Sequence, residues 1–218
     1  GLDARQFPLA LSAFTAAAAI TPHDASLSVG AGVAAFMLGQ HDAAQGWFER
    51  ALGLSPGSLT ASEWLGELHY RAGRLDRAIA VYEKAIANPP SVSGDDGLSR
   101  RLASWRRERE VQTAFAEVHG DRVTVRFKEG RDDALAGHVL TRLEAASARI
   151  VGILGASPSQ PVSVILYTRE EFEEITQLPT WTVAAYDGRI RLPLSGAPRD
   201  DAELDRLITH ELVHAVVA

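Results

Sequence analysis

The stretch Gly39-Gln40-His41-Asp42-Ala43-Ala44-Gln45-Gly46-Trp47-Phe48-Glu49-Arg50-Ala51-Leu52-Gly53-Leu54-Ser55-Pro56 returns in altered form 34 residues later. The shift pairs Gly39 with Gly73, Ala44 with Ala78, Phe48 with Tyr82, Ala51 with Ala85 and Pro56 with Pro90, and it also pairs Gly32 with Gly66. One period earlier, Ala10, Phe14, Ala17 and Pro22 occupy the positions of Ala44, Phe48, Ala51 and Pro56. A fixed period of this length marks stacked supersecondary units that cannot bury their apolar faces alone. The small residues let paired helices approach, and the aromatic fills the space between neighbours. Proline ends a helix, and Gly39 and Gly73 supply φ > 0 where the first helix of each unit turns.

Working outward, residues 25–58 and 59–92 read as complete helix–turn–helix units, and 3–22 as the second helix of another. Residues 98–115, with Leu98, Leu102 and Trp105 on one face and many Arg on the other, read as a capping helix. The Arg cluster there is interleaved with Glu108 and Glu110 and reads as a solvated face.

Composition limits what such a chain does. It has 218 residues, 46% hydrophobic and 23% charged, room for one or two cored domains. A net charge of -6 and a pI near 5.6 argue against nucleic acid as a partner. No apolar run suffices for a membrane span, and there is no cysteine for disulfides or thiolate zinc sites. The chain starts at Gly1-Leu2-Asp3 without Met or a basic n-region and apolar h-region, and both ends read as cut, so the compartment is unknown.

Beyond Gly120 the period changes. Val123, Val125 and Phe127 alternate with polar residues, which predicts a strand over 121–128. A long amphipathic helix is predicted over 132–153, ending near Gly155, then a strand over 161–167. Thr168 caps a short helix over 169–176. Residues 182–186 and 189–192 flank Asp187-Gly188 as a two-residue hairpin. Asp200–Ala218 reads as a helix, apolar nearly all round and therefore buried.

That helix contains His210-Glu211-Leu212-Val213-His214. Imidazoles at i and i+4 project from one face about a turn apart, as two ligands of one tetrahedral zinc require. Glu211 beside them suits a general base toward a water that the metal activates. The bland alternative is a pair of core histidines with hydrogen-bond partners. The other histidines, His23, His41, His69, His119 and His138, have no spaced partner and read as surface or packing residues.

The repeat pattern closely resembles the tetratricopeptide repeat. Ser28 stands where that family usually has Trp, and Ala35 and His69 where it often has Tyr. The resemblance implies a concave groove for a protein partner or extended peptide, lined by Val29, Val33, Glu63, Glu67 and Tyr70. The order strand, long helix, strand, hairpin and His-Glu-x-x-His helix over 120–218 resembles the N-terminal subdomain of gluzincin (thermolysin-like, peptidase MA-like) zinc metallopeptidases. It is most similar to bacterial ones in which tetratricopeptide repeats come first. Tyr186-Asp187-Gly188-Arg189-Ile190-Arg191-Leu192-Pro193 matches that group's strand before the active-site helix. The resemblance implies zinc on His210 and His214, Glu211 as catalytic base, and Arg189, Ile190 and Arg191 on an edge strand that pairs with substrate. The resemblance also implies a third ligand, a Glu on the following helix, beyond residue 218; the carboxylates at Glu170, Glu171, Glu173, Glu174 and Asp187 are not at family positions.

The expected fold is therefore α+β: an all-α repeat superhelix with its cap over 1–117, then a partial zincin-type α/β subdomain over 118–218. The expected function is zinc-dependent peptide hydrolysis on a protein recruited by the repeats, with this stretch inactive by itself. The alternative is a non-catalytic scaffold that binds a partner protein beside a degenerate peptidase-like domain. An apolar face left for the absent remainder of the zincin domain offers a route to homo-oligomers.

Overall fold

The computed structural model of the chain describes residues 6–88, 96–156, 158, 161–178, 182, 184–194 and 200–217. The chain divides into two compact units, the first running to Trp105 without Arg71–Gly73, and the second made of Arg71–Gly73 and the residues from Arg106 onward. In the first, helices α1 (Phe7–Ile20), α2 (Ala25–Met37), α3 (His41–Leu54), α4 (Leu59–Arg71) and α5 (Leu75–Ala87) follow one another. The helices fall where the 34-residue shift predicts them, and Gly39 and Gly73 turn at φ 70° and 73°. Pro90 lies outside the described residues.

Helix pairing rests on the recurrent Gly and aromatic. A Cβ on Gly32 meets the Phe48 ring at 2.5 Å, and one on Gly66 meets the Tyr82 ring. Only hydrogen at these positions lets the ring of the second helix lie against the backbone of the first. Around Phe48 close Ala35, Ala44, Leu65 and Leu68; around Tyr82 close Tyr70, Leu75, Ile79 and Trp105.

The predicted cap is helix α6 (Asp96–Gln112). Leu98, Leu102 and Trp105 complete the first unit's core, while Arg106–Gln112 belong to the second unit. Helix α6 ends before residue 115, because Phe115-Ala116-Glu117-Val118-His119 forms a strand, β1, that sequence reasoning read as helix end and connection. Its partner supplies the reason: β1 pairs antiparallel with β2 (Val123–Lys128), Phe115 facing Lys128 and His119 facing Thr124.

The second unit continues with α7 (Asp133–Leu154), β3 (Val162–Leu166), α8 (Arg169–Thr176), β4 (Ala185–Tyr186), β5 (Ile190–Leu192) and α9 (Asp201–Val217). The sheet order is β1-β2-β3-β5-β4, with β2, β3 and β5 parallel. Gly155 closes α7 at φ 65°. Thr168 and Glu171 form a reciprocal capping box on α8, Thr168 Oγ1 accepting the Glu171 N–H at 3.1 Å and Glu171 accepting the Thr168 N–H at 2.8 Å.

Strand alternation splits the core in two. Val123, Val125, Phe127, Val164, Leu166, Ile190 and Leu192 face α7 and α9. Ile165 and Tyr167 face the other way, with Phe172 and Ile175 of α8. Since successive strand residues point to opposite faces, Arg191 stands on the side away from Ile190 and Leu192.

Candidate functional site

Helix α9 opens with Asp201 and Glu203 in its first turn, acidic groups at its positive end. Leu204, Leu207, Ile208, Glu211 and Leu212 are buried, the i, i+3, i+4, i+7, i+8 pattern of one packing stripe. His210, Val213 and His214 are exposed. The expectation of a helix buried nearly all round is corrected here: one stripe packs against the sheet and α7, and the imidazoles lie beside it, open to solvent. On the adjoining face of α9, Asp201 and Asp205 engage Arg142 of α7, and His138 approaches Asp201 at 2.9 Å.

The two imidazole Nε2 atoms are 3.2 Å apart and their rings are near perpendicular. That separation is a hydrogen-bond distance between the two rings, and it is also close to the roughly 3.3 Å that separates two nitrogens held tetrahedrally on one zinc at ~2.05 Å. Glu211 is 6% exposed. Burial raises its carboxyl above the ordinary range, and the neighbouring His210 and His214 work against that rise. Among the described residues no group of three His, Asp or Glu converges as a metal site.

The edge-strand expectation for Arg189, Ile190 and Arg191 is corrected by the sheet order. Strand β5 lies between β3 and β4, and the edge is β4. Ile190 pairs with Val164 on one side and Tyr186 on the other. The turn also differs: Asp187, Gly188 and Arg189 separate the paired Tyr186 and Ile190, with Gly188 at φ 96°.

Arg189 and Arg191 are buried, and the residue that holds them is Glu108, near the end of α6. Glu108 is 1% exposed, so the solvated-face reading of this Glu is also corrected. Its Oε1 accepts from Arg189 Nη2, from Arg191 Nη2 at 3.5 Å, from the Tyr167 hydroxyl at 3.1 Å and from Gln112 Nε2 at 2.8 Å. Arg126 donates to Gln112 Oε1 at 2.7 Å, and Arg191 Nη1 reaches Asp187 at 2.6 Å. Burial, then the nearby Glu108 carboxylate, pushes the Tyr167 phenol far above its usual range, so it stays a hydroxyl donor. A signal for Glu108 was present in the sequence: 98, 102, 105, 108 and 112 continue one helical stripe past the apolar residues.

Tyr186 is a second residue that sequence reasoning left without a role. Its ring stacks on His214 at 6.4 Å and 13°. Being paired with Ile190, it faces the α9 side of the sheet.

In the first unit, Val29, Val33, Glu63 and Glu67 are partly exposed. Tyr70 does not line a groove. It is 3% exposed, stacked on Trp105 at 4.8 Å and covered by Arg101, which also pairs with Glu67 at 3.0 Å. The cap needs an aromatic floor, and Tyr70 supplies it.

The tetratricopeptide-repeat family model matches residues 2–59 and 48–93. Residues 2–93 carry tetratricopeptide repeats. A search of curated proteins returns no match. The tetratricopeptide repeats suggest a protein partner, and no helix among the described residues is long and apolar enough to cross a membrane.

Proposed function

We propose that this chain is a protein-recruiting scaffold whose second unit carries a two-histidine metal site. The observation that carries recruitment is the tetratricopeptide match over residues 2–93. The partly exposed Val29, Val33, Glu63 and Glu67 are the proposed contact residues. Selecting random displayed peptides on the whole chain tests it, with Glu63→Arg as the counter-screen. Peptides that bind the parent and lose binding to the variant support the reading; peptides that bind both equally exclude this face.

The His210–His214 spacing favours a further role, zinc-dependent peptide hydrolysis on the recruited protein. His210 and His214 hold the zinc, with a third ligand proposed as a Glu beyond residue 218, since no described residue completes the set. When bound, zinc supplies Lewis acidity toward water and a peptide carbonyl. Glu211 takes up a proton, and the burial that lifts its carboxyl pKa brings it closer to a general base's working range. Zinc content and peptidase activity of a chain extended past residue 218 test this role. Zinc that is lost in His210→Ala and His214→Ala, with activity lost in Glu211→Gln, supports it. Bound zinc without hydrolysis of any peptide selected on the repeats leaves the adaptor as the function.

A further inference from the structure

The second unit contains a polar relay, buried at Glu108 and Arg191, that ends beside the candidate metal centre although it starts on the opposite face of the sheet. Glu108 binds Arg191, Arg191 binds Asp187 at 2.6 Å, and Asp187 is the residue after Tyr186, whose ring lies on His214. Arg189, on the same face as Arg191, is held by the same carboxylate oxygen. Strand β4 is only two residues long and sits at the sheet edge. So short an edge strand is poorly fixed by its ladder hydrogen bonds alone. What fixes it further is the Arg189–Arg191 pair on the β5 side of the turn, anchored on a carboxylate that solvent cannot reach, with Arg191 reaching back across the turn to Asp187.

We infer that Glu108 is a positioning residue for His214, acting through Arg191, Asp187 and Tyr186. Apart from its contact with His210, the exposed His214 imidazole has little to hold its rotamer, and a ring stacked on it selects one. Orientation matters because outer-shell partners that fix a ligand's ring are worth about 10- to 100-fold in metal affinity. The consequence for zinc rests on the metal-site reading above; the positioning of His214 does not.

The first experiment therefore contains no metal. In the zinc-free full chain, the face of the Tyr186 ring shifts the carbon-bound imidazole protons of His214, and NMR reads that shift. Tyr186→Leu removes it and defines the unstacked position. Glu108→Gln and Asp187→Asn are expected to move the His214 signals toward that position. Phe172→Leu, which loosens the apolar cluster on the same face of the sheet and removes none of the relay's polar groups, is expected to leave them in place. Asp187 lies on the partly exposed turn, so Asp187→Asn decides the matter where Glu108→Gln does not fold. His214 signals unchanged in Asp187→Asn, or moved as far by Phe172→Leu, overturn the inference.

A zinc titration against a chromophoric competitor then separates the two claims. Zinc affinity about tenfold lower in Asp187→Asn than in the parent supports relay and metal site together. If the parent's zinc affinity is unaltered by His210→Ala and His214→Ala, the metal-site reading falls while the NMR result for His214 still supports the relay.

Discussion

His210 and His214 hold their Nε2 atoms 3.2 Å apart on successive turns of α9, with the Tyr186 ring against the second of them. Two nitrogen donors at this spacing would supply half of the tetrahedral site proposed above. Replacing either by Ala should lower zinc affinity by well over about tenfold, since outer-shell changes alone reach that size. Glu211→Gln keeps both donors and should leave affinity within about threefold. Calorimetric titration of the three variants at neutral pH checks this, and a His210→Ala protein that binds like the parent refutes it.

Glu108 is a buried anion between two buried cations, and removing it strands both. Glu108→Ala should cost about 3–5 kcal/mol of stability, the range for breaking a buried ion pair from one side. Neutralising the exposed Arg107 nearby should change stability by less than about 0.5 kcal/mol. Urea unfolding of the two variants gives the comparison. For the same reason a chain starting at residue 118 should fold poorly while one starting at 106 folds, which circular dichroism decides.

In the repeats, Gly32→Ala puts a methyl group into the Phe48 ring. Overpacking of this kind costs roughly 1–3 kcal/mol. Phe48→Leu should also destabilise, and the double variant should be more stable than the sum of the two single losses. A double-mutant cycle by thermal unfolding measures that coupling, and strict additivity would count against the packing account.

His69 gives the first unit a pH dependence of definite sign. Burial, then the charges of Arg74 and Arg77, hold its pKa down to about 4 from an ordinary value of 6.5. The unfolded chain therefore binds the proton more tightly, so stability is full above pH 6.5 and is lost as pH falls toward 4. The loss between pH 7 and pH 5 should be about 2 kcal/mol. His69→Leu should flatten that part of the profile, as followed by denaturant titration at each pH.

The repeats were legible because they are local and periodic. Each Gly–aromatic pair spans 16 residues, and the same constraint is printed at successive 34-residue steps, Gly32 with Phe48 and Gly66 with Tyr82. Helix α8 was equally legible, since its capping box lies within four residues. Strand β1 was not, because Phe115–His119 owes its conformation to a partner, and its own pattern is too short to outweigh the helix before it. Arg189 and Arg191 resembled edge-strand residues for a similar reason: alternation tells which face a side chain takes, but not which strand lies beside it.

The sequence by itself determined the helical period, the turns at Gly39, Gly73 and Gly155, and the placement of two imidazoles on one face of α9. Those follow from backbone sterics and from the 3.6-residue helical turn, which act over a few residues. Only the tertiary structure decided that Glu108 is an internal anion and that Tyr186 meets His214. It also put β5 inside the sheet and left His210 and His214 in solvent. Burial and electrostatic partnership depend on what the rest of the chain brings up to a residue. Glu108 and Arg189 are separated by 81 positions in sequence and share one hydrogen bond in space.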